Sequence, residues 1–290
     1  MTPKSLPYLA LGALVAAFAS FTSATEDPAA IETLAERIDA YVDLRFEAGS
    51  SATSELMAEL KESDVALIGS IEELLRAPRA GYPDVADLVG KETEHEVACY
   101  HVDYETTYLL YVPEGYSHDV PTPLVIVGHG GNSSMSPERA RSVGQQYLQA
   151  YAPILSRELG AIVVAPASTR GWGQIGNSLL LSTLSQLKRQ FHIDPDRVYL
   201  TGQSMGGHMA YRAALTLPDR WAAVSPQSGG YDYVEKGAIG SLMNVPGYVT
   251  WGKFEPYGLD VSNRTNAAWG QAFGLDWVYV EKDGGHEIYQ

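Results

Sequence analysis

Asp194-Pro195-Asp196-Arg197-Val198-Tyr199-Leu200-Thr201-Gly202-Gln203-Ser204-Met205-Gly206-Gly207 is the stretch from which this chain is best read. Residues 197–201 have the short, apolar character of a buried strand, and 205–217 the character of a helix. Between them lies Gly202-Gln203-Ser204-Met205-Gly206, a G-x-S-x-G pattern on a sharp strand-to-helix turn. A serine there takes strained backbone angles, so small residues two before and two after it prevent collisions. The turn lifts the Ser204 hydroxyl above the sheet, near the positive end of the following helix. The bare motif is weak, and a tight turn carrying a surface serine is the bland alternative. The strand–turn–helix context makes Ser204 the candidate nucleophile.

Outward from this stretch, short and almost uniformly apolar runs recur at 124–127, 161–165, 222–224, 248–251 and 277–280. Uniform apolarity suits strands covered on both faces. Helical stretches separate most of them: Ser136-Pro137 opens one with a cap and a first-turn proline, and Leu180, Leu184, Leu187 and Phe191 stripe the next. Alternating strands and helices predict an α/β fold with a mostly parallel sheet and right-handed crossovers. Residues 95–112 predict an antiparallel pair, with Asp103-Tyr104-Glu105-Thr106 as its turn.

The N-terminal part reads differently. Lys4 is the only charge before Glu26, an apolar run spans 6–18, and Thr22-Ser23-Ala24 fits a signal-peptidase site, as does Ala17-Phe18-Ala19. Residues 1–24 are expected to be a signal peptide cleaved after Ala24. The apolar run is too short for a spanning helix with its own anchors, so no stable membrane span is expected. Residues 25–93 are expected to form a helical N-terminal appendage. Ile31, Leu34, Ala35, Ile38 and Val42 recur at helical spacing, as do Leu67, Ile71, Leu74 and Leu75. The appendage carries no catalytic constellation and reads as packing or partner-binding. The catalytic domain is expected over 94–290.

Of the 290 residues 45% are hydrophobic and 19% charged, which promises a sizeable core and excludes wholesale disorder. The net charge of −15 argues against nucleic acid or an anionic membrane surface as partner, since either calls for a basic face. Cys99 is the single cysteine, so an internal disulfide and a cysteine zinc cluster are both impossible. With the signal segment, that points to a secreted or periplasmic protein. His95, Cys99 and His101 would share a strand face at metal-like spacing, but no carboxylate arrangement completes a site, and no metal is assigned.

A nucleophilic serine also needs oxyanion donors, a base and an acid. Gly128-His129-Gly130-Gly131 follows the strand at 124–127, where a loop can reach the nucleophile. The amides of Gly131 and Met205 are the expected oxyanion hole, with His129 bracing the loop rather than acting as base. Among seven histidines, His286 alone lies just past the last predicted strand, and the chain order nucleophile, acid, histidine puts the base there. The acid should follow the strand at 248–251. Glu255 lies nearer the strand end, and Asp260, further along the loop, is the alternative. Trp172 and Gln203 are candidate substrate contacts, with a packing role the alternative for Trp172.

The nucleophile stretch resembles that of α/β-hydrolase esterases, in particular the secreted polyhydroxybutyrate-depolymerase and feruloyl-esterase group. Tyr108-Leu109-Leu110-Tyr111-Val112-Pro113-Glu114-Gly115-Tyr116, residues 123–131 and Gly285-His286-Glu287 are similar to the same group's entry strands, oxyanion loop and terminal histidine motif. The resemblance covers about residues 96–290. It implies an α/β-hydrolase fold, a Ser-His-acid triad working through an acyl-enzyme, no cofactor, and a small-molecule or polymeric ester as substrate. That group normally has aspartate where Glu255 stands, which keeps Asp260 open. It also usually adds a closing helix, whereas this sequence stops four residues past His286, so a truncated product is one expectation. A serine peptidase of the prolyl-oligopeptidase kind shares the G-x-S-x-G-G elbow but usually carries a large β-propeller, which 70 or so helical residues cannot build. A non-catalytic binding protein on this fold is the third reading.

Overall fold

The computed structural model describes residues 79, 81–99, 102–230 and 240–289. The chain divides into two compact units, Met1–Arg79 and Ala80–Gln290. The expected signal peptide and most of the expected helical appendage lie outside the described residues.

Ala80–Gln290 is built on an eight-stranded sheet. Its strands are β1 (Glu92–Ala98), β2 (Glu105–Tyr111), β3 (Thr122–Gly128), β4 (Ile162–Pro166), β5 (Ile193–Gln203), β6 (Ala223–Gln227), β7 (Gly247–Gly252) and β8 (Trp277–Lys282). The order across the sheet is β1-β2-β4-β3-β5-β6-β7-β8. β2 runs antiparallel to both neighbours and the remaining pairs are parallel. The main helices among the described residues are α1 (Pro137–Leu159), α2 (Gln174–Gln190), α3 (Met205–Thr216) and α4 (Leu259–Phe273).

The central strands show why uniform apolarity predicted them. All of β3 is buried. Leu124 and Ile126 enter one core with α2 and α3, while Val125 and Val127 enter a second with α1. In β4, Ile162 and Val164 join the first core and Val163 and Ala165 the second. The period-two alternation is thus between two apolar layers rather than between core and water. α1 begins as its residues predict: Ser136 Oγ accepts a hydrogen bond from the Arg139 amide at 3.2 Å, with Pro137 in the first turn.

Two boundaries differ from the sequence reading. The β1–β2 turn ends at Tyr104, earlier than the expected 103–106: the Cys99 amide donates to the Tyr104 carbonyl, the Tyr104 amide donates to the Val102 carbonyl, and Glu105 and Thr106 already pair with Ala98 and Val97. The Thr106 hydroxyl is committed to the Ala167 carbonyl at 2.6 Å, which ties it to the sheet. Upstream, β1 starts at Glu92, and Val85 is buried in the first core. Residues 81–93 therefore belong to the Ala80–Gln290 unit.

Candidate active site

The carboxyl ends of β3, β5, β6 and β7 converge on Ser204. The turn after β5 places that serine at φ 59 and ψ −120, a left-handed conformation unfavourable to any residue with a Cβ. The glycines of the motif have a steric reason. A Cβ on Gly202 would lie 2.7 Å from the Gly206 backbone, and one on Gly206 would lie 1.9 Å from the Gly128 carbonyl oxygen. The Ser204 amide donates to the Gln227 carbonyl at 2.9 Å, fastening the turn to the end of β6.

Ser204 Oγ lies 2.8 Å from His286 Nε2, and His286 Nδ1 lies 2.5 Å from Glu255 Oε2. A carboxylate at Nδ1 requires the proton there, which leaves Nε2 to accept from the serine hydroxyl. The Glu255 side chain is fully buried, whereas His286 keeps 26% of its side-chain surface exposed. The second carboxylate oxygen, Oε1, accepts from the Ser228 hydroxyl in a short hydrogen bond and from the Gly252 amide at 3.0 Å. Ser204, His286 and Glu255 are thus brought together in hydrogen-bonding order.

Asp260 is not part of that chain. The loop expected to hold it is the first turn of α4, where its carboxylate meets Arg264 Nη1 at 2.9 Å. An acid in a first helical turn is favoured by the helix dipole, and the i,i+4 arginine completes a surface pair. Glu255, not Asp260, is therefore the carboxylate that meets His286.

The glycine loop after β3 also approaches the nucleophile. A Cβ on Gly130 would come within 3.3 Å of Ser204 Cβ and 2.6 Å of the Tyr147 hydroxyl, so the loop admits no side chain there. His129 is fully buried beneath it. The Ser168 amide donates to His129 Nε2 at 3.0 Å, so the opposite nitrogen, Nδ1, carries the proton and donates to the Gly130 carbonyl at 2.8 Å. Burial lowers the His129 pKa below its ordinary value, keeping the ring neutral as this pattern requires. In a trans peptide the N–H points opposite to the carbonyl, so fixing the Gly130 carbonyl also fixes the Gly131 N–H. Met205 opens α3, where the first N–H groups lack partners within the helix.

Two expected substrate contacts take other places. Trp172 is buried, its indole N–H donating to the His129 carbonyl at 3.0 Å. Gln203 is also buried, its Oε1 accepting from the Tyr147 hydroxyl at 2.6 Å. Both support the loops from behind, because the β5 pleat and the β4–α2 connection turn these side chains inward. His208 is engaged with the Gly230 backbone through Nδ1 at 2.9 Å, and His192 Nδ1 lies 2.8 Å from the His118 carbonyl.

The sequence reading passed over Ser228, the Gly252 amide and Tyr147. Ser228-Gly229-Gly230 follows β6 at the catalytic edge, where open α/β sheets gather functional groups. That position was the available signal.

A family model described as Esterase matches residues 101–284. The chain belongs to this esterase family. Among curated proteins, the chain is 29% identical over 135 residues to Probable feruloyl esterase C of Aspergillus oryzae, covering 45% of this chain and 48% of that one. It is 26% identical over 211 residues to the Aspergillus terreus protein of the same name, covering 62% of this chain and 76% of that one. The chain thus spans about half the length of the A. oryzae relative. Among solved structures it resembles a thermostable esterase with a TM-score of 0.59 at 21% identity, covering 66% of this chain and 54% of that one. It also resembles the ferulic acid esterase of Anaeromyces mucronatus, with a TM-score of 0.55 at 12% identity, covering 68% and 84%. These structural likenesses establish the α/β-hydrolase fold.

Proposed function

We propose that this esterase hydrolyses carboxylic esters through a covalent acyl-enzyme, with Ser204 as nucleophile, His286 as base and Glu255 as acid. The observation that carries the reading is the unbroken hydrogen-bond sequence from Ser204 Oγ through both His286 nitrogens to a buried carboxylate. His286 takes the serine proton as Oγ attacks the ester carbonyl carbon. The carbonyl electrons move to oxygen, and the Gly131 and Met205 N–H groups receive the developing charge. Collapse expels the alcohol, which takes the proton from His286 Nε2 and leaves an acyl-serine. Water then enters at the same carbon and gives its proton to His286, which passes it to Ser204 Oγ as the acyl bond breaks, releasing the acid and free Ser204. Glu255 holds the imidazole tautomer and stabilises the imidazolium in each half-reaction.

The substrate proposed is a carboxylic ester of a small molecule or polymer, with hydroxycinnamoyl and acetyl esters first in line because the curated relatives are named as feruloyl and acetylxylan esterases. The occupied acid position supports catalysis over a non-catalytic binding role. The N-terminal segment supports export, and among the described residues no helix is long and apolar enough to cross a membrane.

The test is labelling by a serine-directed fluorophosphonate, followed by a panel of aryl, acetyl, hydroxycinnamoyl and polyester substrates beside aminoacyl-nitroanilides. Wild-type protein should be labelled and should cleave esters. Ser204→Ala should retain the fold and melting temperature but lose labelling and at least about a thousandfold in kcat. Retention of more than a few per cent of activity would refute the assignment.

A further inference from the structure

Ser228 stands one residue beyond β6, wholly buried, with φ of 45. That left-handed value suits glycine, and asparagine or aspartate tolerate it. Serine has no such preference. Its amide donates to the Thr250 carbonyl at 2.8 Å, so the backbone is fixed across β6 and β7. Next to it, Gln227 holds the Ser204 amide, while Asn263 Nδ2 donates to the Gly229 carbonyl at 2.6 Å. The segment is thus clamped on both sides of a strained serine whose hydroxyl meets Glu255 Oε1. A buried residue kept in an unfavourable conformation, with its one polar atom on a functional group, points to a role for that atom.

Glutamate reaches its histidine through an extra methylene and one more rotatable bond than aspartate. Its carboxylate therefore needs more restraint to present one oxygen at a fixed angle. Two donors converge on Oε1, the Ser228 hydroxyl and the Gly252 amide, and turn Oε2 toward His286 Nδ1. We propose that Ser228 is a positioning residue: its hydroxyl, presented by left-handed backbone at the end of β6, locks the rotation of the Glu255 carboxylate and lets a glutamate serve as the acid. The proposal rests on the catalytic reading above.

Ser228→Ala removes the hydroxyl and keeps the backbone strain, whereas Ser228→Gly removes both. Steady-state hydrolysis of p-nitrophenyl acetate should show kcat reduced about ten- to a hundredfold in both variants, the range of a lost hydrogen bond to a charged group, with KM within twofold. The melting temperature should rise from alanine to glycine without recovery of activity, separating strain from the hydroxyl. In a Glu255→Gln background, Ser228→Ala should change kcat by less than twofold, because the carboxylate it positions is gone. The downfield proton resonance of His286 Nδ1–H in the wild type should move upfield or vanish in Ser228→Gly. A glycine variant with wild-type kcat and an unchanged resonance would overturn the positioning role. If Ser204→Ala stays active, the catalytic reading itself falls. If Ser204→Ala is inactive while Ser228→Gly is fully active, only the proposal for Ser228 falls.

Discussion

Replacing Glu255 by glutamine tests the acid more sharply than truncating it, because the two donors at Oε1 determine how the amide must sit. The Gly252 N–H, 3.0 Å from Oε1, is a backbone donor that cannot rotate away. Turning the glutamine NH₂ toward it sets two donors against each other in a buried site, at a cost of about 1–3 kcal/mol, or roughly a 5- to 150-fold preference for oxygen there. The NH₂ then occupies the Oε2 position, 2.5 Å from His286 Nδ1 in the wild type. His286 must offer Nδ1 as an acceptor, and its proton moves to Nε2. That nitrogen then faces Ser204 Oγ as a donor and can no longer take the serine proton. A tautomer reversal of this kind in a Ser-His-acid triad lowers kcat by about ten-thousandfold. The assay is kcat for p-nitrophenyl acetate, with thermal melting as the control for folding. Asp260→Asn provides the contrast: it loses one partner of an exposed pair with Arg264 and should leave kcat within about threefold. A Glu255→Gln loss below tenfold, or a larger loss at Asp260→Asn, would refute the reasoning.

Two further outcomes concern stability. Burial lowers the folded-state pKa of His129 below its ordinary 6.5, so below that pH the unfolded chain binds a proton that the fold does not. The His129 contribution is complete above about pH 6.5 and is lost as pH falls below it. Urea unfolding should therefore give a lower midpoint at pH 5 than at pH 7.5, with a smaller difference in His129→Gln. In α2, the Thr183 hydroxyl is buried with no hydrogen-bond partner, so Thr183→Val should raise stability by about 1 kcal/mol in the same assay, whereas a decrease would show that the hydroxyl is satisfied.

α4 shows where periodicity fails. Its buried residues are Leu259, Asn263, Asn266 and Gly270, a face with almost no apolar signal. Asn263 is buried with its amide protons taken by the Leu259 carbonyl one turn back and by the Gly229 carbonyl of a distant segment. Without that helix in view, Asp260 read as a loop residue free to turn toward His286. Trp172 was ambiguous for a related reason. A tryptophan beside a catalytic edge suits a pocket wall or a packing role, and only the His129 carbonyl at its indole nitrogen decides between them.

Local chemistry determined the rest. The G-x-S-x-G pattern is read within five consecutive residues, although the backbone that leaves no space for a Cβ on Gly202 and Gly206 includes Gly128 at the end of β3. The uniformly apolar strands follow from burial on both faces, which composition alone records. The turn at Ser204, the parallel sheet and the place of His286 beside it were therefore legible from sequence. The partner of His286 was not legible beyond a preference for the nearer Glu255, because Glu255 and Asp260 are both carboxylates and differ otherwise only in what the fold sets beside them. Nor was Ser228, whose meaning rests on a backbone angle and on a carboxylate 27 residues away. Short-range sterics and burial are written along the chain, whereas a hydrogen bond between strand ends exists only once the sheet has brought those ends together.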